Sequence, residues 1–367
     1  MTNHRTTSRW LVLPGVLLLA LLFGGCSRIA KPQGWASPVS SGQTVLVAHK
    51  SKLYALDATT FQSKWTFPNS TGDKISPTAL YGTPAVDAGI VFIPAYNGKL
   101  YAVDLNTGKS KWASPFNTGE KLVGGVLATG GKVYFGSSNS KVYALNGANG
   151  EKLWSYTTGK EVWSTPVLSG TTLLVTSLDG SLYGLDAASG EKLWSFKTAA
   201  GLAASPALDP SGNTVYVAGF DSRLRAIDTS THQERWAASG DNWFWGTPLV
   251  AGGAVFAGAL DNKIYAFDTS TGDAHWSRPF EADAPVRAAV VMAGNVVLAV
   301  DRKGHVYALS PEDGSMSPGK ALNLNAKVTA DPLVLSNGQV LISTTGGEMI
   351  RIDPTRLEIV SRTKLGS

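Results

Sequence analysis

The chain is 367 residues long, 43% hydrophobic and 16% charged, with 40 glycines. This is the composition of a well-buried globular protein rich in tight turns, and it excludes a disordered or low-complexity chain. The formal net charge of +5 carries no basic run, and the single cysteine, Cys26, forms no disulfide within one molecule; nucleic-acid binding and a disulfide scaffold are both excluded.

The first thirty residues read as a targeting signal. His4, Arg5 and Arg9 precede an apolar run at 11–23, too short to span a bilayer comfortably but of the right length for a signal-peptide core. The run ends in "LLFGGCS" (21–27), which resembles the lipobox of bacterial lipoproteins, with Phe23 where Leu is usual. That resemblance implies cleavage before Cys26 and a diacylglycerol on its thiol, with membrane attachment through the lipid. Ser27, rather than Asp, follows the cysteine, so placement at the outer membrane stays open beside the outer face of the cytoplasmic membrane. Loss of Arg5 and Arg9 with the signal leaves 30 basic against 27 acidic residues, a balance of +3.

Self-similarity fills the rest of the chain. "LYALDATTFQSKW" (53–65) recurs at 100–112, 142–154, 182–194, 224–236 and 264–276, with two degenerate copies at 306–318 and 349–361. The anchors Asp57, Asp104, Asn146, Asp186, Asp228, Asp268, Ser310 and Asp353 are spaced by 40 to 47 residues, a period of propeller-blade size. Each unit parses into four short strands: one after a Thr-Pro phrase, an alternating run, a third strand beyond a turn such as Asn97-Gly98 or Asp179-Gly180, and a fourth that carries Trp. Those turns are expected to be two-residue hairpins with positive φ. Four strands per unit and eight units predict an all-β, eight-bladed β-propeller with four-stranded antiparallel blades. It occupies residues 34–367, after a signal peptide at 1–25 and a short tether at 26–33.

Trp65, Trp112, Trp154, Trp194, Trp236 and Trp276 each stand eight positions after an anchor, with a turn Gly between them in most copies and Ala two before the anchor. A buried indole dominates local packing, so these six are expected to fill the wedges between blades. Phe61 and His232 replace the turn Gly, and the last two copies lack the Trp; those blades are expected to be the less rigid part of the ring.

The motif Ala-x-Asp-x-x-x-Gly-x-x-x-Trp resembles the tryptophan-docking repeat of the quinoprotein-like (PQQ-like) propellers, over about 33–364. Among exported lipidated members it resembles the BamB-like lipoproteins, which implies a non-enzymatic scaffold in outer-membrane β-barrel protein assembly, with a protein partner. The resemblance also raises a PQQ-dependent dehydrogenase, which would use a vicinal Cys–Cys pair and a Ca²⁺ ion. One cysteine cannot make the pair, no calcium loop or haem-attachment motif is present, and His49, His232, His275 and His305 lack metal-ligand spacing. The expectation is therefore no catalytic residue, no metal and no cofactor.

The residue before each first strand borders the channel mouth of a propeller. Around the ring it is Trp35, Tyr81, Val123, Trp163, Ala203, Trp245, Arg287 and Thr329, with Trp243 close by in "DNWFWGTP" (241–248). Packing between blades is already served by the other Trp set. The surplus aromatics with one Arg suit recognition of a peptide or planar ligand, or a plug for the wide hole of an eight-bladed ring. A protein-interaction scaffold, a ligand-binding or sensing propeller and a quinoprotein are thus the three readings, for a chain expected to act as a monomeric propeller.

Overall fold

The computed structural model describes residues 34, 36–69, 78–317 and 319–366. The signal and tether calls at 1–33, including Cys26, and the mouth residue Trp35 lie outside these. The described residues form eight four-stranded antiparallel sheets, each built in sequence order from one contiguous segment. The blades run at 39–67, 85–117, 126–157, 167–197, 207–239, 249–281, 291–323 and 333–364. First strands of neighbouring blades approach one another and therefore ring the central axis.

Burial explains the strand patterns. The two middle strands of blade 4, Thr172–Thr176 and Ser181–Asp186, are buried almost throughout, because a neighbouring blade covers each face and the sequence there is continuously apolar. The outer strand Lys152–Thr157 of blade 3 alternates instead, with Trp154 buried and Ser155 exposed. Eight apolar clusters occupy the eight interblade wedges, so no single core exists.

The anchor Asp organises the turn into the outer strand. Asp186 Oδ1 accepts bonds from the backbone N–H of Ala188 and Ser189 (3.0 and 2.7 Å) and from the Ser189 hydroxyl, while Gly190 N–H donates to Asp186 O at 2.8 Å. Bonds from Ser189, above all its backbone N–H, hold the Asp186 carboxyl below its ordinary value. Such bonds stabilise the fold above the carboxylate range and are lost as pH falls through it. Trp154 then crosses to the next blade, where its Nε1–H donates to Ala187 O at 3.2 Å. A Cβ on Gly190 would meet that indole at 2.5 Å, so the turn Gly is required both by its φ of 77° and by the ring lying on it. Trp65, Trp112, Trp236 and Trp276 repeat the bond, to Leu105, Gly147, Thr269 and Pro311. Trp194 meets His232 in the Gly position and stacks on it, with ring centroids 4.5 Å apart.

Two expectations change. The hairpins at Asn97-Gly98 and Asp179-Gly180 are three-residue loops: Ala95 N–H bonds Lys99 O at 3.0 Å, Gly98 N–H bonds Ala95 O at 3.1 Å, and Gly98 takes the positive φ. A type I turn followed by a left-handed residue is the next commonest hairpin. The junctions without a Trp are also refilled rather than left slack. Blade 8 has Ser361 in the Trp slot, Arg351 in the small-residue slot, and Phe61 facing them from the Gly slot of blade 1. Arg351 Nε–H donates to Ser361 Oγ at 2.7 Å, and its guanidinium lies 4.4 Å over the buried Phe61 ring. Between blades 7 and 8, buried Leu357 fills the Gly slot at φ 54°. Large and small residues have exchanged places across the wedge.

That exchange is testable. Arg351→Ala should lose about 1–2 kcal/mol, from a half-buried cation–π contact and the hydrogen bond to Ser361. Converting Phe61 to Gly and Ser361 to Trp in the same chain should recover most of that loss by restoring the ordinary dock. Chemical denaturation of the three variants checks this, and an Arg351→Ala chain as stable as wild type would show that the exchange carries no energy.

Candidate functional site

The site begins with the short phrase ahead of each first strand. Its second residue is small in every blade (Ala36, Gly82, Gly124, Ser164, Ala204, Gly246, Ala288, Ala330) because neighbouring backbones press together there. A Cβ on Gly124 would lie 2.6 Å from Ser164 O, and one on Gly246 2.9 Å from Ala288 O. The third residue is polar in most blades and at three junctions ties one phrase to the next. Thr165 N–H donates to Ser205 Oγ at 2.9 Å, and Ala289 N–H to Asp331 Oδ1 at 2.7 Å. Asp331 N–H donates to Ser37 Oγ at 3.0 Å, and Ser37 Oγ–H returns a bond to Asp331 Oδ2 at 2.9 Å, closing the ring between its last and first blades. This belt lines a small space of about 100 Å³ where the phrases converge.

The first residue of the phrase stands above the belt. Tyr81, Trp163, Trp245 and Arg287 come together around a cavity of about 420 Å³. The Arg287 guanidinium lies 4.4 Å over the Trp245 ring. Burial and the charge of Arg302 lower the Arg287 pKa, while Asp331 pulls it the other way. Trp163 Nε1–H donates to Ser138 Oγ at 3.1 Å. Val123 lines the same cavity, whereas Ala203 and Thr329 border the small space beneath. Trp243 does not line the cavity. It is 44% exposed and packs on Phe220, whose ring also reaches Trp245 at 5.4 Å. Phe244 between them turns inward and is fully buried.

Sequence reasoning missed a second collar. The three-residue hairpin loops set their first residue beside the loop that precedes the mouth phrase, with Tyr96, Ser138, Leu178, Phe220, Leu260 and Arg302 each bonded to it through N–H, and Tyr96 and Ser138 line the cavity. Tyr96 packs 4.7 Å from Tyr81, with Lys121 Nζ 5.2 Å over its ring. The signal was the apolar residue directly before the turn Asp in "SLDGS" (177–181) and "GFDSR" (219–223).

One group of metal-ligating type occurs among the described residues, Asp283, Asp301 and His305. The Asp301 oxygens are taken by Lys303 N–H, His305 N–H and Tyr307 O–H (2.8, 3.0 and 3.0 Å), with His305 Nδ1 at 2.9 Å. Tyr183 on Asp179 and Tyr265 on Asp261 make a related Tyr-to-turn bond, each at 2.7 Å, to a carboxylate two positions further into the loop. The group is thus a variant of the hairpin's own bonding and does not fit the calcium-held quinone of the family resemblance.

Comparison with known proteins agrees with the ring. The family profile described as outer membrane protein assembly factor BamB matches residues 29–123, 112–211 and 179–366. The chain belongs to the BamB family. Among solved structures, BamB from Moraxella catarrhalis superposes with a TM-score of 0.73 at 18% identity, covering 86% of this chain and 92% of that one. The computationally designed Ika8 protein superposes with a TM-score of 0.72 at 15% identity, covering 85% and 94%. At these identities both likenesses show the fold alone. No curated protein matches the chain in sequence.

Within this BamB-family ring Trp112, Trp154, Trp236 and Trp276 are buried, Trp154 at 8% exposure, whereas the docking Trp65 and Trp194 and the mouth residue Trp163 are only partly covered. Trp154→Ala should cost about 3–5 kcal/mol and Trp163→Ala clearly less, about 1–2 kcal/mol. Equilibrium denaturation decides, and equal losses would place both rings in the core.

Proposed function

We propose that the chain is a non-enzymatic interaction scaffold in the assembly of outer-membrane β-barrel proteins, docking a protein or peptide partner at its channel mouth. It is exported on the signal at 1–25 and held at a bacterial membrane by lipid on Cys26, with 26–33 as tether. The observation that carries this reading is the mouth of a BamB-family ring: Tyr81, Trp163, Trp245 and Arg287 surround open space although the fold requires only small residues beside them. Indole and phenol faces offer apolar area with few rotamers to freeze, the usual material of recognition surfaces. A cavity of about 420 Å³ is also of small-molecule size, which supports a ligand-binding or sensing propeller as the second reading.

Membrane attachment is tested at the thiol. Cys26→Ser should move the protein out of the membrane fraction, since about 0.8 kcal/mol is lost for each buried methylene of the missing chains. A mutant as firmly membrane-bound as wild type would remove the lipid anchor from the reading.

Partner docking is tested at the rings. Replacing Trp35, Trp163 and Trp245 together by Leu should leave the circular dichroism and cooperative unfolding of the ring intact while abolishing copurification with the outer-membrane assembly machinery. A triple mutant that unfolds, or that keeps its partner, would make the mouth a plug.

A further inference from the structure

The junction between blades 8 and 1 holds a cavity of about 580 Å³ on the face of the ring opposite the mouth. It lies between the first turn of blade 8, at Ser336-Asn337, and the turns of blade 1 at Gly42-Gln43 and Ala58-Thr59. Arg351 is the one charged residue in its lining. That side chain fills the wedge in place of a Trp, but packing alone does not ask for a cation. At the neighbouring junction Leu357 fills the gap with an apolar side chain, and a guanidinium is costly to take out of water.

The Arg351 guanidinium is half-buried and only partly bonded. Its Nε–H donates to Ser361 Oγ at 2.7 Å and its centre lies 4.4 Å from that of the Phe61 ring. Among the described residues no hydrogen bond or ion pair reaches Nη1 or Nη2. Asp57, directly before the lining turn of blade 1, is engaged by the N–H groups of Thr59 and Thr60 and by Lys64 Nζ at 3.5 Å. In the same lining Gln339 Oε1 is buried without a hydrogen-bond partner, a state that costs free energy unless a donor arrives. The corresponding groove between blades 5 and 6, of about 340 Å³, is satisfied from within. Tyr216 stands there where blade 8 has Leu341, and its O–H bonds Thr269 O at 3.4 Å, while Arg235 pairs with Asp228 at 2.6 Å.

Unused guanidinium donors and a buried acceptor in one cavity describe the ligand that would meet both. The planar Nη pair matches a carboxylate, and a single cation balances a monoanion. Gln339 Oε1 calls for an O–H donor on the same molecule. The hydroxyls of Ser40, Thr59 and Ser336 add polar groups around the space, and Val45 and Leu335 offer it an apolar wall. Its volume lies in the range of small-molecule sites.

We infer that the seam between blades 8 and 1 is a binding site for a small polyhydroxylated carboxylate of the sugar-acid type, with its carboxylate on Arg351 and a hydroxyl donating to Gln339. The site is separate from the mouth and independent of what the mouth takes.

The experiment uses the full-length protein purified in a detergent without a sugar headgroup, with binding titrated by saturation-transfer difference NMR. The probes are glucuronate, glucose, cyclohexanecarboxylate and glucose 6-phosphate. Glucuronate should bind about tenfold more tightly than glucose, which lacks the carboxylate, and than cyclohexanecarboxylate, which lacks the hydroxyls. Arg351→Met should reduce glucuronate binding to the level of glucose. Gln339→Leu should weaken it about fivefold while leaving the melting temperature unchanged or higher, because a buried acceptor without a partner is removed. If Arg351→Met does not fold, Gln339→Leu decides alone. Glucuronate binding no tighter than glucose or cyclohexanecarboxylate overturns the inference, as does tighter binding of glucose 6-phosphate. Full glucuronate binding by either folded variant, or failure of glucuronate to bind, overturns it too.

Discussion

The interaction on which the ring depends is an indole of one blade bonded to the backbone of the next. Trp112 donates to Gly147 O at 2.9 Å and lies over Gly150, as Trp154 does over Gly190. The contact joins three requirements in one residue: a ring large enough to fill a wedge, a donor for a buried carbonyl, and a partner turn without a side chain. Each blade is only a small four-stranded sheet, and such sheets need covering on their apolar faces. The dock supplies that cover in register, so repeating a forty-residue unit repeats the alignment as well. Closure follows once the last wedge is filled, and it leaves no blade with an uncovered face.

The last wedge is filled by another route. Where blade 8 has Ser361 in place of Trp, Arg351 occupies the space and Phe61 reaches it from the opposite blade. Phe61 stands at φ 59° in a position that five of the other seven blades give to Gly, so the backbone strain of a left-handed aromatic residue is accepted for the volume it supplies. Bonding between Ser37 and Asp331 adds a polar clasp on the channel side of the same junction. First and last blades are thus joined by contacts specific to that junction, as suits the one seam with no covalent connection between neighbouring blades.

Much of this was legible in the residues. The period of 40 to 47, the anchors and the Trp column specify eight four-stranded blades, because each is a local pattern repeated many times. The refilled seam was not legible, since Phe61 and Arg351 are 290 positions apart and each reads alone as a defect in its own repeat. The collar was missed for a different reason. Reading Asp179-Gly180 as a two-residue hairpin leaves no place for Leu178 in the loop, whereas in the three-residue loop it and its counterpart Phe220 sit beside the loop ahead of the mouth phrase, and the Phe220 ring reaches Trp245. Column reading did bring Tyr81, Trp163, Trp245 and Arg287 to one cavity, but it could not tell Trp243, which turns onto Phe220, from Trp245 two residues on.

The mouth residues are best understood by what the fold leaves undetermined. Backbone contact between phrases demands a small second residue, as at Gly82, Gly124 and Gly246, and the belt below asks for a polar third. The first residue satisfies neither demand and can be Val123 or Ala203 as readily as Trp163. A plug would be expected to bring its rings into mutual contact and to avoid a guanidinium, whose desolvation is costly. Here the rings stand around a space of about 420 Å³ above a smaller one of about 100 Å³, and Arg287 is braced at its edge by Trp245 and Asp331. A charge half-buried beside an apolar cavity is costly to desolvate, and the Trp245 face and Asp331 offset part of that cost.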